Sequence, residues 1–440
     1  NNNPIMPIML DSSGYNSNKA IKHAVDTLSS KLKYMGKVPS RKVYFGTTIA
    51  EAGVTFNDLM FCIDIGYVIT PEFIPNRSTK LSNNGGRPIT QAASMQRRGR
   101  VGRLTEGKFY PMYTENSFEL FRKDKFPEII INDASEFILS VIAKENSYDP
   151  AKLDLITHPS SDGLRYALKK LFILGLIDNE CKCTKLGLMA NETQKITYEG
   201  LKSILYSFTN DVDPFDMITI VAFIESEYKH SFKYKKRELK QIKGGFDNNA
   251  LENYIFIADT YIDMLMLFNE YENALEKYKS KSVKNGITFL RDWFKDNEIK
   301  TIRFNKVMEH RDGLIETIRS LGFNPYKKKT SINDRFKIYS EGIKYISRIK
   351  QCLYEGYKMN LAVWNDYYQK FVMLDNGFKI NEIKEWSHLS TTDEFKNRKP
   401  RYILGYNGAF EFKKDTYIYD VQGFTILDGF VDVDEKFMSS

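Results

Sequence analysis

The stretch Gln96-Arg97-Arg98-Gly99-Arg100-Val101-Gly102-Arg103 constrains this chain more than any other. Four arginines fall within seven residues, and two glycines interrupt them. A guanidinium stays charged and donates in pairs, which suits phosphate. Glycine lets a backbone pass close to a ligand or take up angles closed to other residues. A solvated basic helix start or a localisation patch is the plainer use of such charge. The spacing Q-R-x-G-R-x-G-R is not that of a generic basic run.

Around it, residues 1 to about 115 read as an α/β unit. Ala20 to Leu32 is helix-like, with Ile21, Ala24, Val25, Leu28 and Leu32 on one stripe. Lys42–Phe45 reads as a short strand, and Leu59–Asp64 as a continuous apolar run of the kind that forms a buried parallel strand. Tyr67–Thr90 is polar, with a turn signal at Asn83-Asn84-Gly85-Gly86. Gly107–Thr114 reads as a last strand, and a helix starts at Glu115.

Further along, Phe137, Ile138, Val141 and Ile142 make one helical stripe. Leu164, Ala167, Leu168, Leu171 and Phe172 make another. Residues 191 to about 325 are mostly helical. Lys229–Lys243 is basic, and Lys233, Lys235, Lys236 and Arg237 interleave with Phe232 and Tyr234. Such a run can track a phosphate backbone while its aromatics stack on bases; a solvated face or loop is equally consistent with it. Past Lys327-Lys328-Lys329 the text turns aromatic and β-branched with regular turns, which favours a small β-barrel.

The arginine stretch resembles motif VI of superfamily 2 helicases of the DExH type. About forty residues upstream, Thr47-Thr48-Ile49-Ala50-Glu51-Ala52-Gly53-Val54-Thr55-Phe56 resembles motif V of that family. Later segments are similar to the DEAH/RHA branch. They are Leu174-Gly175-Leu176-Ile177-Asp178 with Thr184-Lys185-Leu186-Gly187, then Trp293–Asn297 with Arg303 and Arg311–Leu314, then Cys352-Leu353-Tyr354-Glu355-Gly356 with Asn360 and Ala362. The resemblance implies a second RecA-like lobe over 1–127, a winged helix over 128–190, a helical-bundle ratchet domain over 191–325 and an OB-fold-like domain over 326–440. It also implies a β-hairpin between Tyr67 and Thr90 that projects toward nucleic acid.

By the same resemblance, Arg100 and Arg103 are arginine fingers and Gln96 orients the γ-phosphate or the attacking water. Arg97 lies on the nucleotide side, with Arg97 or Arg98 open to a salt bridge instead. Glu51 and Gly53 shape the nucleotide-side loop, and Asn57 stands where the family has a nucleotide-contacting aspartate. Thr47 contacts a nucleic-acid phosphate with Thr48 beside it. Thr48, Gly53 and Asn57 depart from the DEAH pattern, and Thr-Thr-Ile-Ala-Glu-Ala-Gly drifts toward viral DExH helicases. The cofactors implied are ATP or another NTP with Mg2+, and the partners are single-stranded or duplex nucleic acid, RNA favoured, with an activating protein. The phosphate loop G-x-x-x-x-G-K-[ST] and D-E-x-H of a first lobe are not among the 440 residues. The expectation is therefore the C-terminal part of a longer helicase, inactive in isolation. A degenerate scaffold that lost catalysis, and a DNA helicase, are the competing readings.

The remaining features bound the class. Sixty-four basic residues against 56 acidic ones leave +8, which fits a polyanion partner only weakly. Cys62, Cys181, Cys183 and Cys352 lack a second pair or histidine cluster for zinc, and His388 lacks co-ligands, so no metal site is expected. No apolar run approaches the ~20 residues needed to span a bilayer. A cytoplasmic, viral-factory or virion location is expected, with a nuclear one left open. The high Lys, Asn, Ile and Tyr content fits an AT-rich genome such as that of a large DNA virus.

Overall fold

The computed structural model describes residues 4–10, 19–52, 54–56, 59–68, 72–74, 79–82, 87–102, 106–145, 152, 154–193, 195–226, 260–279, 283–296, 299, 301–325, 339–375, 377–383, 400–406, 409–413, 416–421, 423–427, 431 and 433. The chain mixes helix and sheet and divides into two compact units. The first holds residues 1–72 and 82–128; the second holds 73–81 and 129–440.

In the first unit, β1 (Ile5–Leu10) runs parallel to β2 (Arg41–Gly46), with Ile8 opposite Tyr44 and Leu10 opposite Gly46. The β1 side chains alternate as a strand demands. Ile8 and Leu10 pack with Ala24 and Val25 of α1 (Lys19–Asp26) and with Val54 and Phe56. The helix is shorter than the apolar stripe predicts. It stops where Lys42 donates to the carbonyls of Ala24 and Thr27 at 3.2 and 2.9 Å, satisfying acceptors that a helix end leaves open. Leu28, expected on the buried stripe, is 45 % exposed beyond that cap.

A short α2 (Ile49–Ala52) follows β2. Then β3 (Phe61–Asp64) pairs in parallel with β8 (Lys108–Pro111), Cys62 opposite Phe109. The apolar run in β3 predicts burial on both faces. Instead Phe61 and Ile63 are 57 % and 69 % exposed, and only Asp64 ends fully buried. Alternation, not uniform burial, governs this strand, because β8 is its only sheet neighbour among the described residues.

The polar excursion from Tyr67 to Thr90 contains strands. At its base β4 (Tyr67–Val68) pairs antiparallel with β7 (Arg87–Pro88). Further out, β5 (Glu72–Ile74) and β6 (Thr79–Ser82) are neighbours in a sheet. The predicted turn Asn83–Gly86 lies outside the described residues. After β7 come α3 (Gln91–Arg98), β8 and α4 (Glu115–Glu119).

From Ile129, in α5 (Glu128–Ile131), the second unit continues into α6 (Ser135–Glu145) and α7 (Ser161–Ile173). The predicted stripes are carried inward by Ile138, Leu139 and Ile142 and by Ala167 and Leu171. Phe172, placed on the second stripe by its spacing, is 46 % exposed at the helix end. Thr184 turns the chain into α8 (Lys185–Asn191): its hydroxyl donates to Gly175 O at 2.7 Å and accepts from Gly187 N at 3.0 Å. The next helices are α9 (Tyr198–Thr209), α10 (Pro214–Glu225), α11 (Thr260–Lys279), α12 (Val283–Asp296), α13 (Thr301–Ser320) and α14 (Tyr339–Tyr357). Trp293 packs against this core with its ring centroid 5.8 Å from that of Tyr271. Arg311 on α13 crosses to α10, donating to Thr219 Oγ1 at 2.8 Å.

The C-terminal strands fall into two sheets. One is ordered β10 (Lys370–Met373), β9 (Leu361–Asn365), β12 (Tyr402–Tyr406), β15 (Gly423–Ile426). The other is ordered β11 (Ile380–Ile383), β14 (Thr416–Val421), β13 (Ala409–Lys413), then β6 and β5. The outer strands of the Tyr67–Thr90 excursion thus extend the second sheet.

Candidate functional site

The arginine stretch sits at the end of α3. The helix starts on a capped turn, where Thr90 Oγ1 accepts from Ala93 N at 3.1 Å. Its first two backbone N–H groups do not face solvent unpaired. Gln91 N donates to Arg122 O at 2.8 Å and Ala92 N to Lys123 O at 3.0 Å. The Gln91 side-chain amide lies 3.1–3.3 Å from the carbonyls of Phe118, Glu119 and Phe121. Basic side chains then fall at the helix C-terminus, where the backbone dipole favours positive charge.

Arg97 faces inward. Its Nε and Nη2 donate to Glu51 Oε1 at 2.9 and 2.6 Å, and its Nη1 donates to Asp64 Oδ1 at 2.6 Å. Both carboxylates are buried, Glu51 on α2 and Asp64 at the end of β3. Burial alone would weaken the guanidinium's hold on its proton. The hydrogen bonds and negative charges of Glu51 and Asp64 outweigh it and raise the Arg97 pKa above the ordinary arginine value. Asp64 is further held by Gly66 N at 3.0 Å and by the Tyr113 hydroxyl, which donates to Oδ2 at 3.0 Å. Ser94 Oγ on α3 lies 2.6 Å from that hydroxyl. Lys125 Nζ approaches Glu51 Oε2 at 3.6 Å. A buried charge left unpaired costs several kcal/mol, so this network fixes α3 to α2 and β3 in one arrangement.

Two glycines in this region take backbone angles that other residues rarely adopt. Gly66 has φ +77°, and a Cβ there would lie 2.5 Å from the Tyr113 ring. Gly102, the second glycine of the arginine stretch, has φ +76°. Both positions lie in the left-handed region that L side chains rarely take.

The other residues expected at the site divide in three. Gln96 and Arg98 are exposed on the last turn of α3, and Arg100 is half-buried, with Nη1 3.3 Å from Val54 O. Thr47 and Thr48 are exposed at the start of the turn into α2; Thr47 N donates to Leu10 O at 2.9 Å, fixing that turn against β1. Gly53, Asn57, Arg103 and the basic residues Lys233, Lys235, Lys236 and Arg237 lie outside the described residues. Sequence reasoning missed Asp64, Tyr113 and Ser94. Asp64 closing an otherwise apolar run was the one signal of a charge that needs a partner.

What the arrangement can do follows from its charges. Arg97 is committed to carboxylates, while Gln96, Arg98 and Arg100 bring donors to the same end of one braced helix. That set suits an incoming phosphate. It does not suit a metal ion: among the described residues no three His, Cys, Asp or Glu side chains are grouped to hold one. Among the described residues, no helix is long and apolar enough to cross a membrane.

No protein-family profile matches the chain. Among curated proteins, B962L of African swine fever virus, named as a candidate RNA helicase, is 26% identical over 358 residues, covering 75% of this chain and 36% of that protein. The pre-mRNA-splicing factor and ATP-dependent RNA helicase DEAH10 of Arabidopsis thaliana is 24% identical over 298 residues, 67% of this chain and 40% of that protein. DHR2 of Saccharomyces cerevisiae, named as a candidate ATP-dependent RNA helicase, is 26% identical over 328 residues, 73% and 42% of the two chains. The chain therefore spans less than half the length of these relatives. Its resemblance is to RNA helicases of the DEAH/RHA type in superfamily 2, a large DNA virus among their sources.

Proposed function

We propose that this chain is the C-terminal part of an ATP-dependent RNA helicase, made of a second RecA-like lobe, a winged helix, a helical bundle and an OB-like domain. Its arginine-bearing helix would act on the nucleotide's terminal phosphate and couple hydrolysis to movement along RNA. The observation that carries this reading is the division of labour at the end of α3. Arg97 is held by Glu51 and Asp64, so it positions the helix end. Gln96 and Arg98 stay exposed, and half-buried Arg100 reaches the Val54 carbonyl within the motif V stretch.

ATP with magnesium supplies the transferable phosphoryl group and neutralises part of its charge when bound. This chain's residues do the rest that falls to a second lobe. Arg100, with Arg103, presents positive charge to the oxygens of the γ-phosphate, and Gln96 orients it or the water. Glu51, with Gly53 and Asn57 after it, shapes the loop on the nucleotide side. Thr47 and Thr48 meet a phosphate of the RNA, and Lys233, Lys235, Lys236 and Arg237 add backbone contacts. The metal and the phosphate loop belong to a first lobe, so an isolated preparation of these 440 residues should not turn over ATP.

The test is ATP hydrolysis by the longest native form of the protein, with and without single-stranded RNA or DNA, beside Arg100→Ala. Stimulation by RNA, reduced on the order of 10³–10⁵-fold in the variant, is the expected result, since that is what an arginine finger typically contributes. Retained nucleic-acid binding with no hydrolysis, and no effect of Arg100→Ala, would favour the scaffold reading. Stronger stimulation by DNA would reassign the substrate.

A further inference from the structure

We propose that the hairpin of β9 and β10 carries a base-stacking platform for single-stranded nucleic acid, with Tyr367 as the ring that a base covers. The inference deepens the helicase reading and rests on it for the class of ligand. Its own support lies in the hairpin.

The two strands pair antiparallel with Asn365 opposite Lys370, which leaves a four-residue tip, Asp366-Tyr367-Tyr368-Gln369. Tips of this kind ordinarily carry small polar residues and glycine. Here two tyrosines stand at the apex. Tyr367 is 87 % exposed and Tyr368 is 42 % exposed. Their rings meet edge to face, 5.0 Å apart at 77°, so Tyr368 braces Tyr367 while most of the Tyr367 side chain stays in solvent.

The tip is held rather than loose. Tyr368 N donates to Asn365 Oδ1 at 3.1 Å, Gln369 Nε2 to Asp366 O at 2.9 Å, and Trp364 Nε1 to Asp366 Oδ1 at 3.0 Å. Gln369 takes a left-handed φ of +50°, where glycine would be cheaper. Strain retained by surrounding bonds is a mark of a functional segment. Positive charge stands beside the rings. Lys379 Nζ lies 3.4 Å from the centre of the Tyr368 ring, and Lys370 Nζ, at the foot of β10, reaches Asn381 Oδ1 at 3.0 Å. An exposed ring whose neighbour Tyr368 carries the Lys379 ammonium over its face suits the base and phosphate of one nucleotide, and it tolerates any base, since each has a π-face.

The experiment is equilibrium binding of a labelled 12-nucleotide single-stranded RNA to the longest native form, without nucleotide, over a range of salt. Tyr367→Ala, Tyr367→Phe and Tyr367→Trp are compared with the unaltered protein. Tyr367→Ala should weaken binding by about five- to a hundredfold, the usual worth of a base–aromatic stack. Phe should stay within about twofold and Trp should bind as well or better. The dependence on salt should keep its slope, because no phosphate contact is lost. If the unaltered protein binds and Tyr367→Ala binds equally well, the platform is wrong while the helicase reading stands. If Phe fails as badly as Ala, the hydroxyl matters and stacking is wrong. If the unaltered protein binds neither RNA nor DNA, the helicase reading falls and takes the platform with it.

Discussion

Two nitrogens of Arg97 meet one oxygen of Glu51 at 2.6 and 2.9 Å, across 46 residues of sequence. The pair joins the two stretches that carry the helicase resemblance, and Asp64 completes it from β3. Removing the guanidinium would leave two buried carboxylates facing each other. We expect Arg97→Ala to destabilise the first unit by about 3 kcal/mol, the low end for a broken buried pair, since Lys125 and Tyr113 stay in place. Arg98→Ala, at an exposed position, should stay within about 0.5 kcal/mol. Calorimetry of both variants checks this, and equal transition temperatures would refute the brace.

Gly66 and Gly102 share a left-handed backbone but not a neighbourhood. A methyl group at Gly66 meets the Tyr113 ring at 2.5 Å, whereas at Gly102 nothing lies within 4 Å. Gly102→Ala should therefore cost only the backbone term, about 1–2 kcal/mol. Gly66→Ala should cost about 1–3 kcal/mol more, from overpacking against Tyr113. Urea unfolding of the two variants side by side measures the difference.

Cysteine chemistry offers a third check. Burial pushes the Cys352 thiol up to about 12, against a hydrogen bond from Asn210 that lowers it. Iodoacetamide at pH 8 should modify exposed Cys181 first and Cys352 last, as peptide mass mapping would show. The folded protein keeps the Cys352 proton after the unfolded chain has lost its own. This group's contribution to stability is thus complete below about pH 9 and declines as pH rises toward 12.

Lys202 titrates with the opposite sign. Burial, with the charge of Lys358 adding to it, lowers its pKa to about 8, and Glu355 only partly restores it. Between pH 8 and 10.5 the unfolded chain holds the extra proton, so this group's penalty on folding fades as pH rises. Lys202→Met should be more stable than the unaltered protein near pH 7.5, and the gap should close by about 2–3 kcal/mol by pH 10. A gap that does not change with pH would show that the lysine is not held in a depressed state.

The helices were legible because burial writes a period into the sequence, and Ile138, Ile142, Ala167 and Leu171 kept it. The arginine stretch stands out in the sequence because four guanidiniums and two glycines fall within eight residues. The brace was not. Which of four arginines turns inward depends on where Asp64 ends its strand, and that relation spans 33 residues. Uniform apolarity in Phe61–Asp64 predicted two-sided burial, but how many strands flank it is decided by distant chain. The placement of β6 beside β13 joins segments more than three hundred residues apart, beyond any local signal.

Gln91 gathers three carbonyls of the segment around Phe118–Phe121 onto one amide, at the start of the helix whose far end bears the arginines. The backbone of Gln91 and Ala92 grips Arg122 and Lys123 in the same way. The helix is therefore a lever clamped at its root to the strip of chain that leads out of the first unit at Glu128. The charged tip lies about 10 Å from that clamp, at 1.5 Å per residue, along one unbroken helix.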